Sequence, residues 1–553
     1  MVRDERNRGL RPASIVRCLL FLFGIGVLGT ANVSFAAGLD PGEVLYRQGV
    51  LPSGAPLTGE RDQDTRVTGA DAACAKCHRR SGLGSSEGQI IIPPITGDFL
   101  FRVRGRESAQ RDTRAAPGFI PNRKPYNPAG LARAIREGID MSGRQLSYLM
   151  PRYKLSDSDI AVLTGYLQQM AAKPVPGVSE ETLHFATIVT PDADPAKRQA
   201  MLDVLNQFFA DKNEFIRGGI RPMHAAGGVQ FRVSRRWQLH VWELTGPADG
   251  WADQLDQHLA SEPVFAVISG LGGSVWEPIH RFCERNRVPC LFPNTDLPVI
   301  SESDFYNLYF YRGVILEADM IAESIERLDE QAVKPRLLQI FRKKDLGAAA
   351  AAALEARARR ANLESVMISL DVEGDNLSIS QALSRARPTD IVALWLRPAD
   401  ISSLPKRPPA DVTVYVSGLM TNLESAPMPA AWRDVAHMTY PFDPPDLRKF
   451  RMNYPLAWMK VRHIAVTDER VQSNTYLACG ILAEELTSLQ DNFVREFLLE
   501  RIEDMLSHRV LSGFYPRLGL APGQRFASKG GYFVHFTEPG GPAIAPTSEW
   551  IVP

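Results

Sequence analysis

Cysteine is scarce in this chain, with six residues in 553, and one of them, Cys18, sits in the N-terminal apolar run. So few thiols exclude a disulfide-built scaffold. Histidine is also scarce: of ten, only His78 lies between residues 38 and 175. Long hydrophobic runs are lacking beyond residue 36, so no later segment is expected to span a bilayer. Net charge is missing in sum, 63 Lys+Arg standing against 63 Asp+Glu, and no nucleic-acid partner is expected.

At this length a single hydrophobic core is outgrown, so two or more domains are the default. The first stretch falls outside them. Arg3, Arg6, Arg8, Arg11 and Arg17 precede the apolar run Cys18–Leu28, and the small residues Ser34 and Ala36 then occupy the −3 and −1 positions of a cleavage site. This predicts a signal peptide over residues 1–36 and a periplasmic location, with membrane contact only if the leader stays attached. Export leaves Cys74, Cys77, Cys283, Cys290 and Cys479. A Cys283–Cys290 disulfide and two free thiols are equally open readings.

The zero charge hides an asymmetry, because residues 38–173 carry 19 Lys+Arg against 14 Asp+Glu and residues 174–553 carry 39 against 47. Opposite signs favour docking of the halves on each other, or an acidic redox partner for the first; ordinary solvated surface explains them equally well. The break falls at 171–180, where two prolines and a glycine end a helical pattern. Domains are therefore expected at 38–173 and 183–553, joined by a linker at 174–182. Upstream the clearest elements are helices at 128–137 and 156–170, the second with Ser156 as N-cap and Asp157 and Asp159 in its first turn. Downstream, apolar strands at 185–190, 239–244, 264–269, 336–341, 365–370, 390–396 and 412–416 alternate with amphipathic helices, which predicts parallel sheets in two α/β lobes.

Cys74-Ala-Lys-Cys77-His78 is the spacing of a covalent haem c site, in which two thiols add to vinyl groups and the next residue offers an imidazole to iron. A redox dithiol would need a strand before it and a helix after it, and a zinc ribbon a second cysteine pair that this half lacks. With His78 the only imidazole of the domain, a second axial ligand must be another residue type. The candidates are Met141, Met150 and Met170. Met150 precedes Pro151 in a loop ahead of the last helix, where the proline stiffens the backbone, and it is the expected ligand; Met141 is the alternative, and Met170 reads as core.

From Met150-Pro-Arg-Tyr-Lys-Leu-Ser-Asp-Ser-Asp-Ile to Leu167, together with the CxxCH, residues 38–173 resemble class I cytochrome c, a small all-α domain. The resemblance implies one covalent haem c on Cys74 and Cys77, His78 and Met150 as axial ligands, and electron transfer with a periplasmic redox partner. Gly42-Glu-Val-Leu-Tyr46 is similar to that family's first helix, except that a Gly- and charge-rich insertion, Gly49 to Ala73, separates it from the CxxCH.

Residues 183–536 resemble the type I periplasmic binding proteins, in particular the branched-chain amino-acid receptors of ABC transporters. The resemblance rests on the order of Leu183–Thr190, Met201–Phe209, Val264–Ser274, Pro289–Thr295, Tyr415–Gly418, Asn474–Leu486 and Tyr532–Phe536. It implies a cleft between two lobes for a small polar ligand, amino-acid-like in kind, with Ser274 and Thr295 where such receptors hold the ligand's polar end. Independently, Gly272-Gly273-Ser274 ahead of a helix offers N–H groups and a hydroxyl to an anionic or carbonyl group. Equally, glycines before a helix are common turn chemistry. Trp276 beside this loop reads as core. Departures fall at Thr245–Asp249 and at Leu346, which replace an acidic turn and a tyrosine of the family. The expected function is electron transfer by a mono-haem cytochrome fused to a binding or docking module; the alternative is a transport receptor with an accessory haem. A haem enzyme is disfavoured, since both axial positions are supplied by the chain.

Overall fold

The structure, a computed structural model, describes residues 40–553 apart from 62–64, 88–89, 103–123, 171–173, 218–234, 302, 328–334, 371–378, 424–427, 490–491, 509–512, 522 and 539. The leader at 1–36 with Cys18 lies outside the described residues. Among them, no helix is long and apolar enough to cross a membrane.

The N-terminal body opens with helix α1 (Pro41–Gln48), capped by Asp40, whose carboxylate accepts from Gly42 N at 2.7 Å. The helix expected from the Gly42–Tyr46 pattern is thus present despite the insertion that follows it. Next come α2 (Ala75–His78), α3 (Gly97–Phe101), α4 (Pro128–Glu137) and α5 (Asp157–Gln169). Helix α5 starts on a full capping box: Ser156 Oγ accepts from Asp159 N, and the Asp159 carboxylate accepts from Ser156 N. First and last helices cross tightly because residue 42 is glycine; a Cβ there would lie 2.6 Å from Tyr166 Cβ. Leu45, Tyr46, Leu131, Ile135, Leu163 and Leu167 form the core between them.

This body is not all-α. Strands β1 (Thr58–Arg61) and β2 (Thr65–Thr68) of the insertion pair antiparallel, and β5 (Arg152–Tyr153) joins the free edge of β1. A second hairpin, β3 (Ser85–Glu87) with β4 (Ile90–Ile92), follows the CxxCH. The reason is local: Thr58, Thr65, Val67 and Thr68 of the insertion favour strands, and both hairpins are too short for a periodicity signal to rise above the helices.

The remainder builds two parallel sheets. The first lobe orders its strands β10-β9-β8-β6-β7, from β6 (Thr182–Val189), β7 (Arg236–Glu243), β8 (Ala266–Ile268), β9 (Cys290–Leu291) and β10 (Asn307–Leu308). The second is β12-β11-β13-β14-β15-β16-β17, from β11 (Leu337–Arg342), β12 (Ser365–Leu370), β13 (Ile391–Trp395), β14 (Thr413–Ser417), β15 (Ala436–Tyr440), β16 (Tyr532–Phe536) and β17 (Ile544–Pro546). The last two strands run antiparallel. β13 is buried at all five positions, as expected of a strand covered on both faces. Helices α6 (Pro195–Arg217), α7 (Trp251–Ser261) and α8 (Glu277–Arg285) cover the first sheet, and α9 (Gly313–Arg327) and α10 (Leu346–Arg360) the second. After β15 the chain returns to the first lobe with α11 (Pro445–Val461), α12 (Glu469–Leu489) and α13 (Arg495–His508) before β16. The lobes are therefore joined by three crossings. Cys283 and Cys290 are buried free thiols in side-chain contact, not a disulfide.

The N-terminal body docks on the first lobe at the N-terminal ends of its strands, the pole opposite the interlobe loops. Helix α13 presents Glu496, Glu500 and Glu503, spaced to share one face. Arg47 Nη2 reaches Glu496 at 3.0 Å, Arg79 reaches Glu503 at 3.9 Å, and Ser81 gives its N–H (2.9 Å) and hydroxyl (2.6 Å) to Glu500. Arg80 stacks over Phe305 at 4.3 Å. Basic side chains of the positive half thus meet an acidic helix of the negative half. Glu43 with Arg287, at 2.8 Å, is the one reversed pair among these contacts.

Candidate functional site

A cavity of about 530 Å³ opens in the N-terminal body, a size in the usual range of cofactor sites. Cys74, Cys77 and His78 line it, as does Met150. Leu100, Leu131, Ile135, Leu163 and Leu167 from helices α3, α4 and α5 make it apolar, with Ile90–Ile95 along another side. The four residues singled out for haem therefore share one space. Met141 and Met170 are not among its lining: Met141 Sδ lies against Gly130 and the Met170 methyl against Gly82.

The CxxCH forms the single turn α2, with His78 N bonded to Cys74 O at 2.9 Å. His78 Nδ1 lies 2.9 Å from the Pro93 carbonyl, which can only accept, so Nδ1 carries the proton and Nε2 keeps its lone pair. Burial holds the imidazole below its ordinary pKa, against the opposing pull of the Pro93 carbonyl. A neutral imidazole with one nitrogen anchored and the other free is the form that ligates metal. The chain at Ile92 and Pro93 comes this close because residue 84, just before β3, is a glycine at φ +78°; a Cβ there would stand 2.1 Å from Ile92 O. Burial also pushes the Cys74 thiol up to about 12. That is the opposite of the thiolate a redox dithiol needs.

The methionine loop is clamped by a residue absent from the sequence-level reading. Arg152 Nη1 donates to Met150 O at 2.5 Å and Nη2 to Leu146 O at 3.3 Å. Upstream, the buried Asp140 accepts from Ser142 N (2.8 Å), Arg144 N (2.9 Å) and Arg144 Nε (3.0 Å). Burial alone would raise its pKa, but these donors hold it below the ordinary carboxylate value. Arg61, on β1, also lines the cavity, and its Nε is buried without a hydrogen-bond partner. An unpaired guanidinium N–H on an apolar cavity awaits an anion. Haem would fit these residues: a flat apolar ring against the aliphatic walls, vinyl groups beside the two thiols, iron within reach of imidazole and thioether, and a propionate for Arg61. Arg61 was invisible in sequence because the strand carrying it lies within the insertion.

At the opposite pole of the first lobe, the loop after β8 carries Gly273 and Ser274. The N–H groups expected to be open there are already bonded: Gly273 N donates to Thr190 Oγ1 at 3.0 Å, and Ser274 gives its N–H (2.7 Å) and hydroxyl (2.6 Å) to Asp192 Oδ2. Thr190 in turn donates to Asp192 Oδ1 at 2.6 Å. Asp192 follows β6 some eighty residues earlier, and nothing in local spacing reveals its return. Burial would raise the Asp192 pKa, but the Ser274 and Thr190 donors hold it low. The loop thus presents a carboxylate rather than free donors. Thr295 is buried, its hydroxyl accepting from Leu297 N at 3.3 Å. Trp276 is core, packed over Gly270 and Gly272. Beside them, Asn294 Nδ2 donates to Ser269 Oγ at 3.1 Å, and Arg470 of α12 pairs with half-buried Asp296 at 2.6 Å.

No family model and no curated protein matches this chain. Among solved structures it is similar to a fatty acid ABC transporter substrate-binding protein from Thermomonospora curvata, at 15% identity over 69% of this chain and 95% of that one, with a TM-score of 0.47. It is likewise similar to a leucine-binding protein from Thermotoga maritima (12% identity, 67% and 99% covered, TM-score 0.44). A third is a branched chain amino acid ABC transporter from Thermus thermophilus with bound valine (11% identity, 68% and 98% covered, TM-score 0.45).

Proposed function

We propose that this chain is an exported mono-haem c-type cytochrome, with haem linked through Cys74 and Cys77 and ligated by His78 and Met150, that exchanges electrons with a periplasmic redox partner. The observation that carries the reading is one apolar cavity lined by all four residues, with Arg61, whose buried Nε has no hydrogen-bond partner, also in its lining. Haem, when bound, supplies one-electron chemistry at iron. The chain's residues do the rest. Pro93 fixes the ring of His78 and keeps its Nε2 unprotonated, Arg152 holds the Met150 loop, and the leucine and isoleucine walls exclude water. His78 and Met150 would hold a bound iron from the chain itself, which favours a carrier role over turnover. A pyridine haemochrome spectrum with the intact mass of the exported protein tests this. One haem per chain, covalently retained, is expected; an unmodified mass from cells competent in haem attachment would overturn it.

A second reading concerns the remaining two thirds, and a specific observation favours it. Two parallel sheets joined by three crossings place strand C-termini and their loops where a small molecule can be enclosed. In this reading the module is a receptor for a small polar ligand, amino-acid-like in kind, at Gly273, Ser274 and Thr295. Because Asp192 occupies both donors of Ser274 and Thr190 occupies that of Gly273, the end of the ligand meeting this loop is cationic or hydroxylic rather than anionic. A thermal-shift screen of free amino acids and amines tests it. Stabilisation by a carboxylate-only ligand that survives Asp192→Ala would reverse the polarity assigned here.

A further inference from the structure

Helix α11 (Pro445–Val461) is apolar on two opposite faces. Arg448, Met452, Pro455 and Met459 are buried, and Trp458 Nε1 ties the helix to Asp211 of α6 at 3.0 Å. The opposite face carries Leu447, Phe450, Tyr454, Ala457 and Val461, all exposed, with Phe450 86%, Tyr454 73% and Val461 70% accessible. Their spacing is 3, 4, 3, 4, the a/d repeat of a helix that pairs with another helix, sustained over about 21 Å. Solvated helices rarely expose such a seam without a partner.

We propose that this seam is a homodimer interface, in which α11 of one chain packs antiparallel on α11 of a second copy about a two-fold axis at Tyr454. Two features select a second copy. The first is volume: antiparallel pairing sets Phe450 against Ala457 of the second copy and Leu447 against its Val461, so large faces small in every layer except the central Tyr454 pair. Parallel pairing would set Phe450 against Phe450 and Ala457 against Ala457. The second is charge: Asp446 and Lys460, both exposed, lie along the same border of the seam, one at each end. Antiparallel pairing brings Asp446 of each copy beside Lys460 of the other, twice over. One helix seam is smaller than the interface of a permanent dimer, so association in the micromolar range is expected. The seam shares no residue with the lining of the haem-type cavity or with Gly273, Ser274 and Thr295.

Sedimentation equilibrium of the full exported chain, over a series reaching about 100 µM, is the test. Wild-type protein should move from monomer to dimer. Phe450→Glu, at a solvated position, should leave the melting temperature unchanged and weaken association at least about tenfold. Asp446→Lys should weaken it about three- to tenfold, and adding Lys460→Asp should restore it, as the antiparallel register alone requires. Monomer throughout the series would overturn the proposal, as would a dimer indifferent to Phe450→Glu. A monomer that instead binds phosphatidylglycerol vesicles through Phe450 would reassign the seam to a lipid surface. Failure of the double charge swap to restore association would overturn the register.

Discussion

The cavity of the N-terminal body and the loop at Ser274 each looked, at the level of residue types, like a place that holds something. They differ in how their polar atoms are spent. Around the cavity, anchoring contacts stop one step short of the interior: Pro93 takes one nitrogen of His78 and leaves the other, and the buried Nε of Arg61, in the cavity lining, has no partner. At Ser274 the chain has answered its own donors, since Asp192 and Thr190 take the N–H groups and the hydroxyl. Buried polar atoms left open mark a site awaiting a ligand, whereas a closed hydrogen-bond circuit marks a turn made stable for its own sake.

The largest effect on that contrast should come from the ligand residues. His78→Ala and Cys77→Ala, expressed in the periplasm, should fail to yield normally ligated haem, read as loss of the low-spin reduced spectrum. A wild-type spectrum in His78→Ala would leave the cavity without its defining role. Met150→Ala should retain the covalent attachment but lose the weak near-infrared band of a methionine–ferric bond and admit external ligands, while Met141→Ala keeps the band. The reverse pattern would move the ligand to the residue packed on Gly130.

A middle effect is expected where the two halves meet. Burial pushes the Glu500 carboxyl up to about 7, despite the two hydrogen bonds from Ser81 that pull it down. A carboxyl whose folded value is raised favours the folded state below its unfolded value, and that contribution is lost as pH rises through the folded one. Stability should therefore fall by about 1–3 kcal/mol between roughly pH 5 and pH 7, and Glu500→Gln should flatten that slope in melting temperatures followed against pH. An unchanged slope would place the titration elsewhere. The smallest effect belongs to the closed circuit: Asp192→Ala strands the Ser274 and Thr190 donors but leaves the loop in contact with water, at a cost of about 0.5–1 kcal/mol by thermal denaturation. A larger loss would show that this loop braces the lobe.

Much of the architecture was legible from pattern. The helix at 128–137 and the strand at 365–370 lie at the residues their periodicity indicates, and the 156–170 helix begins on the Ser156 capping box. Long periodic segments repeat one signal many times, so single exceptions do not hide it. The three-residue hairpin strands around residue 90 repeat nothing, and they turned a body expected to be all-α into a mixed one. Within the cavity, Cys74, Cys77, His78 and Met150 could be picked out because covalent attachment fixes a spacing and because the other imidazoles are absent. Arg61, Arg152 and Pro93 could not, since each acts through a distance in space that has no counterpart in chain separation.

The seam on α11 divides the same way. Its 3, 4 spacing is written in the chain, but the buried face of the same helix has a comparable rhythm, and only packing against α6 and α12 reveals which stripe was left outside. By itself the sequence determined the chemistry on offer, two thiols next to one imidazole and a methionine held by a proline, together with the alternation of strands and helices, because these depend on residue type and near-neighbour spacing. Tertiary structure decided which of those groups remain open, because closing a donor requires a partner brought back from far along the chain, as Asp192 returns to Ser274 and Glu500 to Ser81.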